Sequence, residues 1–241
     1  MGIFTNSMPV WVSILFLVSF IMPIFMISDV AKQGAVAANF GSERVKKIST
    51  GVLIFFAFYY LYVMLMSFTA VFHANSLPPK VLLFTALPLL TFYFFYVFRT
   101  TTYWQILENA PLSGLVRLHT FRLVGIFFII AWHYGALPKY FAFSAGLGDI
   151  FAAVTAIFVA NFIDNKATHY KTITLIWNII GFWDIVSVII SAVYVTKQAI
   201  ASGGQGIVEM TYFPYCLIPA FAPATIIFLH ISIFKKLKME V

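Results

Sequence analysis

Long apolar stretches alternate with short polar segments along the whole 241-residue sequence. A helix needs about 20 apolar residues to cross a bilayer, and seven stretches reach that length. The pattern therefore predicts an all-α, polytopic membrane protein in which residues 1–241 form a single domain of seven transmembrane helices. The predicted spans are 8–28, 50–73, 79–98, 114–135, 140–163, 172–196 and 212–234.

Three of the connections between these spans carry structural signals of their own. Residues 29–49, the longest connection, hold a basic cluster and are expected to lie against the anionic lipids of the inner leaflet. Residues 100–113 mix polar and aromatic side chains and predict a short interfacial helix that ends near Pro111. The ASGGQG sequence within 198–211 predicts a flexible loop on the outer side.

The composition excludes a soluble enzyme domain. The chain is 62% hydrophobic and 10% charged, whereas soluble domains carry roughly 25% charged residues. The partner that this composition predicts is the lipid bilayer. The net charge of +7 does not predict a nucleic-acid partner, because the basic residues are sorted by membrane side.

This sorting of basic residues predicts the orientation. We call side B the side reached after the first span and side A the opposite one; twelve cations lie on or near side B and three on side A. Because cytoplasmic loops are rich in Lys and Arg, the amino terminus is expected outside and the carboxyl terminus in the cytoplasm of a bacterial inner membrane. The side-B cations are Lys32, Arg44, Lys46, Lys47, Arg99, Arg117, Arg122, Lys166, Lys171, Lys235, Lys236 and Lys238, and those of side A are Lys80, Lys139 and Lys197.

The sixth span contains a polar stripe. Asp184 is expected near mid-bilayer and shares one helix face with Trp177, Gly181, Ser187 and Ser191. We expect this face to pack inside the bundle rather than against lipid. Ionisable residues at membrane depth are costly and are candidates for function. The carboxyl of Asp184 either binds a proton or a ligand, or is a hydrogen-bonded structural group.

The fifth span carries a second carboxylate, Asp149, in its outer third. Ala145, Gly148, Ala152 and Ala156 make this span a helix of small residues that approaches its neighbours closely. Asp149 either holds a ligand or faces an outer vestibule, or it belongs only to this close packing.

The fourth span places His119 and Arg122 three residues apart on one face, in its cytoplasmic third. Arg122 keeps its proton and so needs an acidic partner, carbonyls, water or lipid phosphate. Alternatively, its side chain extends to the inner membrane surface. His230, late in the seventh span, lies at a comparable depth.

The seventh span contains Pro214, Pro219 and Pro223. Prolines free backbone carbonyls and kink a helix, and membranes tolerate such breaks where neighbours or a wet cavity satisfy the backbone. The spacing predicts either a broken helix that lines a site or an ordinary proline-containing membrane helix.

No cofactor is predicted as the first choice, and haem b is the alternative. His119 and His133 lie 14 residues apart on one span, nearly four turns, so that each would ligate one of two stacked haems. His230 would pair with His119 and His73 with His133. The histidines are too scattered to predict a zinc site, and the last span has no lysine before Lys235 for a covalent retinal.

A series of short motifs runs in order from about Leu115 to the end of the chain. The motifs are Phe121-Arg122, Gly135, Pro138, Phe143, Asp149, Leu175-Ile176-Trp177-Asn178, Phe213-Pro214 and His230. In this order the second half resembles a family of uncharacterised bacterial seven-span integral membrane proteins. That family has an acidic residue after the Phe-Arg pair, where this chain has Val124-Gly125-Ile126, so the resemblance leaves open whether Arg122 has an ionic partner here. The resemblance implies seven spans and points to Arg122, Asp149, Asn178 and His230, but it implies no activity.

The leading functional hypothesis is a non-enzymatic bundle whose polar core binds or conducts a small ligand or protons. The residues expected to line this core are Asp149, Asp184, Asn178, Trp177, Arg122 and His230, with Trp183 beside Trp177 as a wall for an apolar ligand. One alternative is a b-type haem electron carrier. Another is an accessory subunit whose intramembrane charges are satisfied by a membrane partner protein. No nucleophile–base pair argues for an enzyme.

Overall fold

The computed structural model describes residues 7–73 and 75–239; the few other residues of the predicted 1–241 domain lie outside this description. Seven helices within it are long and apolar enough to cross a membrane, and the described residues contain no strand. The all-α, seven-helix prediction is confirmed, and this is the architecture of a multi-pass membrane protein.

Five of the seven spans are continuous helices and two are composite. Residues 7–73 and 75–239 contain nine α-helices: α1 (Val10–Ala37), α2 (Ser42–Phe68), α3 (Leu87–Phe95), α4 (Thr101–Asn109), α5 (Leu112–Leu118), α6 (Ile126–His133), α7 (Lys139–Asp164), α8 (Tyr170–Ser202) and α9 (Leu217–Met239). The third span joins a π-helical turn, Leu82–Ala86, to α3 and a short 3₁₀ turn, Val97–Arg99. The fourth span consists of α5, a 3₁₀ segment from His119 to Gly125, and α6.

Several predicted boundaries were wrong because helices continue beyond the apolar runs. The segment 29–49 is not a long connection, since α1 ends at Ala37 and α2 begins at Ser42. Lys, Gln, Ala and Glu in this segment are good helix formers, so the backbone stays helical outside the lipid core. Likewise, α8 extends to Ser202, well into the predicted flexible loop 198–211.

The interfacial helix predicted within 100–113 is present as α4. The hydroxyl of Thr100 caps it by accepting a hydrogen bond from the Tyr103 amide at 3.3 Å. The chain then turns at Pro111 into α5. Lys236 near the end of α9 donates to the backbone carbonyl of Glu108, which ties this helix to the last span at side B.

The fourth and seventh spans form the centre of the bundle, and most of their residues are buried. The helix α7 packs along the fourth span and against α8, while α1 packs against α2 and α4. Aromatic rings fill the space between α1, α2 and α9. The fully buried ring of Phe221 meets the rings of Phe20 and Phe56 at centroid distances of 5.7 and 5.4 Å.

Tyrosine hydroxyls satisfy backbone carbonyls both on the exposed face of the bundle and inside it, as a lipid environment requires. Pro88 lacks the amide that would bond the carbonyl of Phe84, and the Tyr62 hydroxyl donates to that carbonyl at 2.9 Å. The Tyr59 hydroxyl donates to the carbonyl of Ala220 at 2.9 Å, next to the proline-containing part of α9.

Candidate functional site

A single arginine occupies the centre of the bundle. The side chain of Arg122 has no exposed surface, so it does not extend to the membrane surface. Its Nε donates to Asp149 Oδ1 at 2.8 Å, Nη2 donates to Asp184 Oδ2, and Nη1 donates to the carbonyl of Gly181 at 3.3 Å. Every guanidinium nitrogen therefore has an acceptor, which is what a buried arginine requires.

The two carboxylates come from different helices and enclose the guanidinium. Asp149 belongs to α7 and Asp184 to α8, with side-chain exposures of 8% and 18%. When both are ionised, two negative charges face one positive charge, so the cluster carries one negative charge in excess. In a low-dielectric interior such an excess is costly, and a proton or a small cation would remove it.

His230 of α9 completes the cluster on a third side. Its Nδ1 lies 2.8 Å from Asn178 Oδ1, and Asn178 Nδ2 donates to the carbonyl of His230 at 3.0 Å. The second contact fixes the orientation of the amide, so Nδ1 is the donor to Oδ1. The other ring nitrogen, Nε2, then carries the lone pair and lies 3.5 Å from Arg122 Nη1.

His119 lies behind His230 and is fully buried. Its ring centroid is 4.2 Å from that of His230 and 5.2 Å from the ring of Trp177. Neither of its ring nitrogens has a hydrogen-bond partner in the described part of the chain. The Trp177 indole donates to Thr155 Oγ1 at 2.9 Å. An unpaired buried imidazole is costly, which marks His119 as a candidate site residue.

Three glycines allow the charged side chains to come this close. A Cβ on Gly125 would lie 2.5 Å from Asp149 Cβ, one on Gly148 would lie 2.8 Å from Asp184 Cγ, and one on Gly181 would lie 2.7 Å from His230 Cε1. No real Cβ makes such contacts, so any side chain at these positions would displace the cluster.

Two small cavities reach the aspartates. One offers about 60 Å³ for water-sized groups and extends from the side-A loops, at Asn75 and Lys80, to Asp149. Pro219 and Pro223 line it, so a cavity does accompany the prolines of the last span. The other, also about 60 Å³, lies between α7 and α8 and is lined by Asp184 and Trp177.

The structure thus brings together all six residues predicted to line a polar core. The predicted depths of Arg122 in the inner third and Asp149 in the outer third were wrong, since the two side chains are in contact. Arg122 lies near the middle of the fourth span, Leu112–His133, and its long side chain covers the remaining distance to Asp149.

Two expectations for α8 were wrong. Ser187 is exposed and donates a hydrogen bond to the carbonyl of Asp184. The polar residues of α8 therefore face the interior only as far as Asp184, and Ser187, one turn later, does not. The buried face continues instead through Ile185 and Ala192. Trp183 is 63% exposed and does not form a wall beside Trp177.

The histidines do not fit the predicted pair of haems. The ring centroids of His119 and His230 are only 4.2 Å apart, with the rings tilted by 37°, which leaves no space for a porphyrin between them. His133 is exposed, and the His73 ring lies 4.0 Å from that of Tyr212. Among the described residues, no group of three or more His, Cys, Asp or Glu side chains is arranged to hold a metal ion.

Sequence reasoning missed Thr155 and the contact at Gly125, although it did place Gly148 and Gly181 on faces expected to pack against other helices. It considered His119 both as a partner of Arg122 on one face and as a haem ligand. The helical spacing of His119 and Arg122 did signal a shared face, and the 3₁₀ conformation, which aligns residues three apart, preserves it. Nothing in the sequence indicates which side chains on other helices would meet that face.

Fold and site together define a multi-pass membrane protein with a buried charge cluster. Over residues 77–238 the chain matches the protein family described as Domain of unknown function (DUF8737), and it belongs to that family. The match begins well before Leu115, where the sequence resemblance begins, so the third span belongs to the family as well. No curated protein and no solved structure matches the chain.

Proposed function

We propose that this protein is a non-enzymatic membrane protein that binds a proton at the cluster of Arg122, Asp149 and Asp184. The observation that carries the proposal is the enclosure of one buried guanidinium by two carboxylates from α7 and α8. One proton shared by the two carboxylates makes the cluster neutral, and its loss leaves an uncompensated charge in the bundle.

The sizes of the cavities favour a proton over a larger ligand. The side-A cavity and the cleft at Asp184 each offer about 60 Å³. One water molecule needs about 10–15 Å³ of such space, whereas sites for drug-sized ligands measure about 300–1,000 Å³. The space at the aspartates therefore suits a few water molecules.

Proton entry in this proposal is from side A. The side-A cavity has polar residues, among them Asn75, Lys80 and Thr211, near its mouth and Asp149 at its inner end. From Asp149 the charge cluster continues to Asp184 through the guanidinium. His230 and His119 lie beyond it, and conduction to side B would use their ring nitrogens.

We further propose the orientation that the basic residues predict, with the amino terminus outside and the carboxyl terminus in the cytoplasm of a bacterial inner membrane. The twelve-to-three excess of side-B cations supports this orientation. Asp149 would then receive protons from the outside.

Infrared difference spectroscopy of the purified protein tests proton binding. We expect the carbonyl stretch of a protonated carboxyl, shifted in heavy water and lost at high pH. Asp184→Asn and Asp149→Asn should each remove this band, because the remaining carboxylate is neutralised by Arg122. Asp164→Asn is the matched control, since Asp164 pairs with the exposed Arg117 at side B and should not affect the band.

A wild-type spectrum without a protonated carboxyl at any accessible pH would overturn the proposal, as would a band that persists in both single variants. Proteoliposomes containing a pH-sensitive dye then separate binding from conduction. Collapse of an imposed pH gradient that requires Asp149 and Asp184 indicates conduction, and an intact gradient indicates binding alone.

The two alternatives receive less support from the geometry. The rings of His119 and His230 are too close together for a haem. An ultraviolet–visible spectrum before and after dithionite tests this directly, because a b-type haem gives a Soret band that sharpens on reduction. The accessory-subunit hypothesis assumed unsatisfied intramembrane charges, but Arg122 is paired within its own chain.

A further inference from the structure

A large open space forms a crevice on the side-B half of the bundle. We call it the side-B crevice. It lies between α2 and the pair α3 and α4, with α9 as its floor, and has a volume of about 620 Å³. This is ten times the space at either aspartate and falls within the range of about 300–1,000 Å³ that is typical of ligand sites.

The crevice exists because α2 packs almost entirely on α1. Between Ser42 and Phe68 only Val45, Phe56, Val63 and Ser67 are buried. Gly51, which lines the crevice, has no side chain to fill it, and a Cβ built there would meet nothing within 4 Å. At the rim, Tyr96 is 63% exposed, so the space opens sideways between α2 and α3.

The interior of the crevice is apolar. Phe55 and Phe92 stack on each other at 4.8 Å, and Ile106 and Leu229 also contribute to the lining. The polar groups that it contains are largely occupied with one another, because Tyr103 and Ser232 share a hydrogen bond of 2.8 Å. Such walls suit a hydrocarbon chain and offer little to a polar solute.

The mouth of the crevice is basic. Lys47 lines it, and Arg44 and Lys46 lie on the same turns of α2. Arg44 donates to Thr102 Oγ1 at 2.9 Å, which holds one cation across the opening. The partner of Lys47 is Glu43 at 2.7 Å, and both side chains are more than 70% exposed, so this pair is weak and readily exchanged.

From the apolar crevice and its cationic mouth we infer a specific binding site for an anionic phospholipid of the side-B leaflet. One acyl chain would lie in the crevice along Gly51 and Phe55, and the phosphate would be bound by Lys47 and Arg44. The site is separate from the Arg122 cluster, and its failure would leave the proton proposal unaffected.

Native mass spectrometry of the full-length protein, delipidated and then given an equal mixture of phosphatidylglycerol and phosphatidylcholine, tests the inference. Wild type should retain at least one phosphatidylglycerol in preference to phosphatidylcholine. Lys47→Gln should reduce that preference about fivefold, the effect expected for one basic side chain at an anionic surface. Lys46→Gln is the matched control, because Lys46 is exposed and does not line the crevice.

Filling the crevice gives a second, independent measurement. Gly51→Leu should displace the bound lipid of either headgroup, whereas Ala57→Leu, on the lipid-exposed face of the same helix, should leave it bound. The inference is overturned if Gly51→Leu retains lipid like wild type, or if Lys46→Gln and Lys47→Gln act equally. Co-purification of a tightly held non-lipid molecule or a stable second copy in the crevice would also overturn it. Lys47 is exposed, so Lys47→Gln keeps the test valid even if Gly51→Leu does not fold.

Discussion

At the scale of single residues, the permanent charge of Arg122 determines the chemistry of the core. An arginine cannot release its proton to reduce the cost of burial, so the surrounding groups must supply its acceptors. Asp149, Asp184 and the carbonyl of Gly181 do so. The aspartates are thus both the proposed proton site and the groups that make the buried arginine tolerable.

This double role predicts that the stability losses of the two single aspartate variants do not add up to the loss in the double variant. Either Asp149→Asn or Asp184→Asn leaves one carboxylate to neutralise Arg122, so each single variant should remain folded. The double variant leaves an uncompensated buried charge and should lose about 3–5 kcal/mol of stability. Denaturation in detergent micelles measures the free energy of unfolding of the wild type, the two single variants and the double variant. If the double variant loses no more stability than the two single variants combined, Arg122 does not depend on this pair.

A second residue-scale prediction concerns Glu209, outside the spans in the 3₁₀ turn Val208–Thr211. Burial raises the pKa of its carboxyl, and a hydrogen bond with Ser7 opposes the effect. The folded state therefore holds this proton more tightly than the unfolded state. The resulting stabilisation is fully present below the ordinary glutamate pKa and is lost as the pH rises through the raised folded-state pKa.

Glu209→Gln removes this pH dependence. We expect a higher melting temperature than wild type at alkaline pH, with the difference shrinking as the pH falls toward the ordinary glutamate pKa. Glu43→Gln, at an exposed position on α2, is the control and should follow the wild-type curve. A Glu209→Gln curve parallel to wild type across the whole range would contradict the prediction.

At the scale of elements, the fourth span is unusual because seven successive residues, His119–Gly125, form a 3₁₀ segment. Such segments rarely exceed 3–4 residues, and longer ones often mark strained or functional positions. Here the segment carries both His119 and Arg122, and Gly125 at its end permits contact with Asp149 on α7. The departure from α-helix and the charge cluster therefore coincide.

The close approach of α7 and α8 yields a prediction for Gly148. A methyl group there would collide with the carboxylate of Asp184, so Gly148→Ala should cost about 1–3 kcal/mol through overpacking, despite the higher helix propensity of alanine. The variant should also lose the infrared carboxyl band. Gly51→Ala adds a methyl group in open space and should be slightly stabilising. Equal stability changes in the two variants would mean that the packing at Gly148 is not close.

The sequence predicted these elements only in part. Apolar length located all seven spans, since crossing a bilayer requires that length. It did not locate helix ends at Ala37 and Ser42, because a helix that leaves the lipid needs no apolar residues to continue. It also gave no sign of the 3₁₀ segment, which depends on contacts with neighbouring helices.

At the scale of the whole molecule, the sorting of cations predicts the orientation, and the chain offers a simple test. Its single cysteine, Cys216, is buried and should not react with a membrane-impermeant maleimide. Ser202→Cys, on side A, should be labelled in intact cells, and Ser42→Cys, on side B, only after lysis. Both serines are exposed and uncharged, so neither substitution alters the charge balance. The reverse labelling pattern would invert the proposed topology and place the entrance to Asp149 in the cytoplasm.

The class of protein and the number of spans could be predicted from the residues alone, because the cost of exposing backbone and charge to lipid is imposed residue by residue along the chain. The sequence also singled out the polar residues of the core, since each is expensive at membrane depth. The packed helices were needed to show that Arg122 is shared by Asp149 and Asp184, that Trp183 faces outward, and that α2 leaves a crevice. These features depend on how helices distant in sequence rotate and pack, and no local pattern along a single helix specifies that geometry.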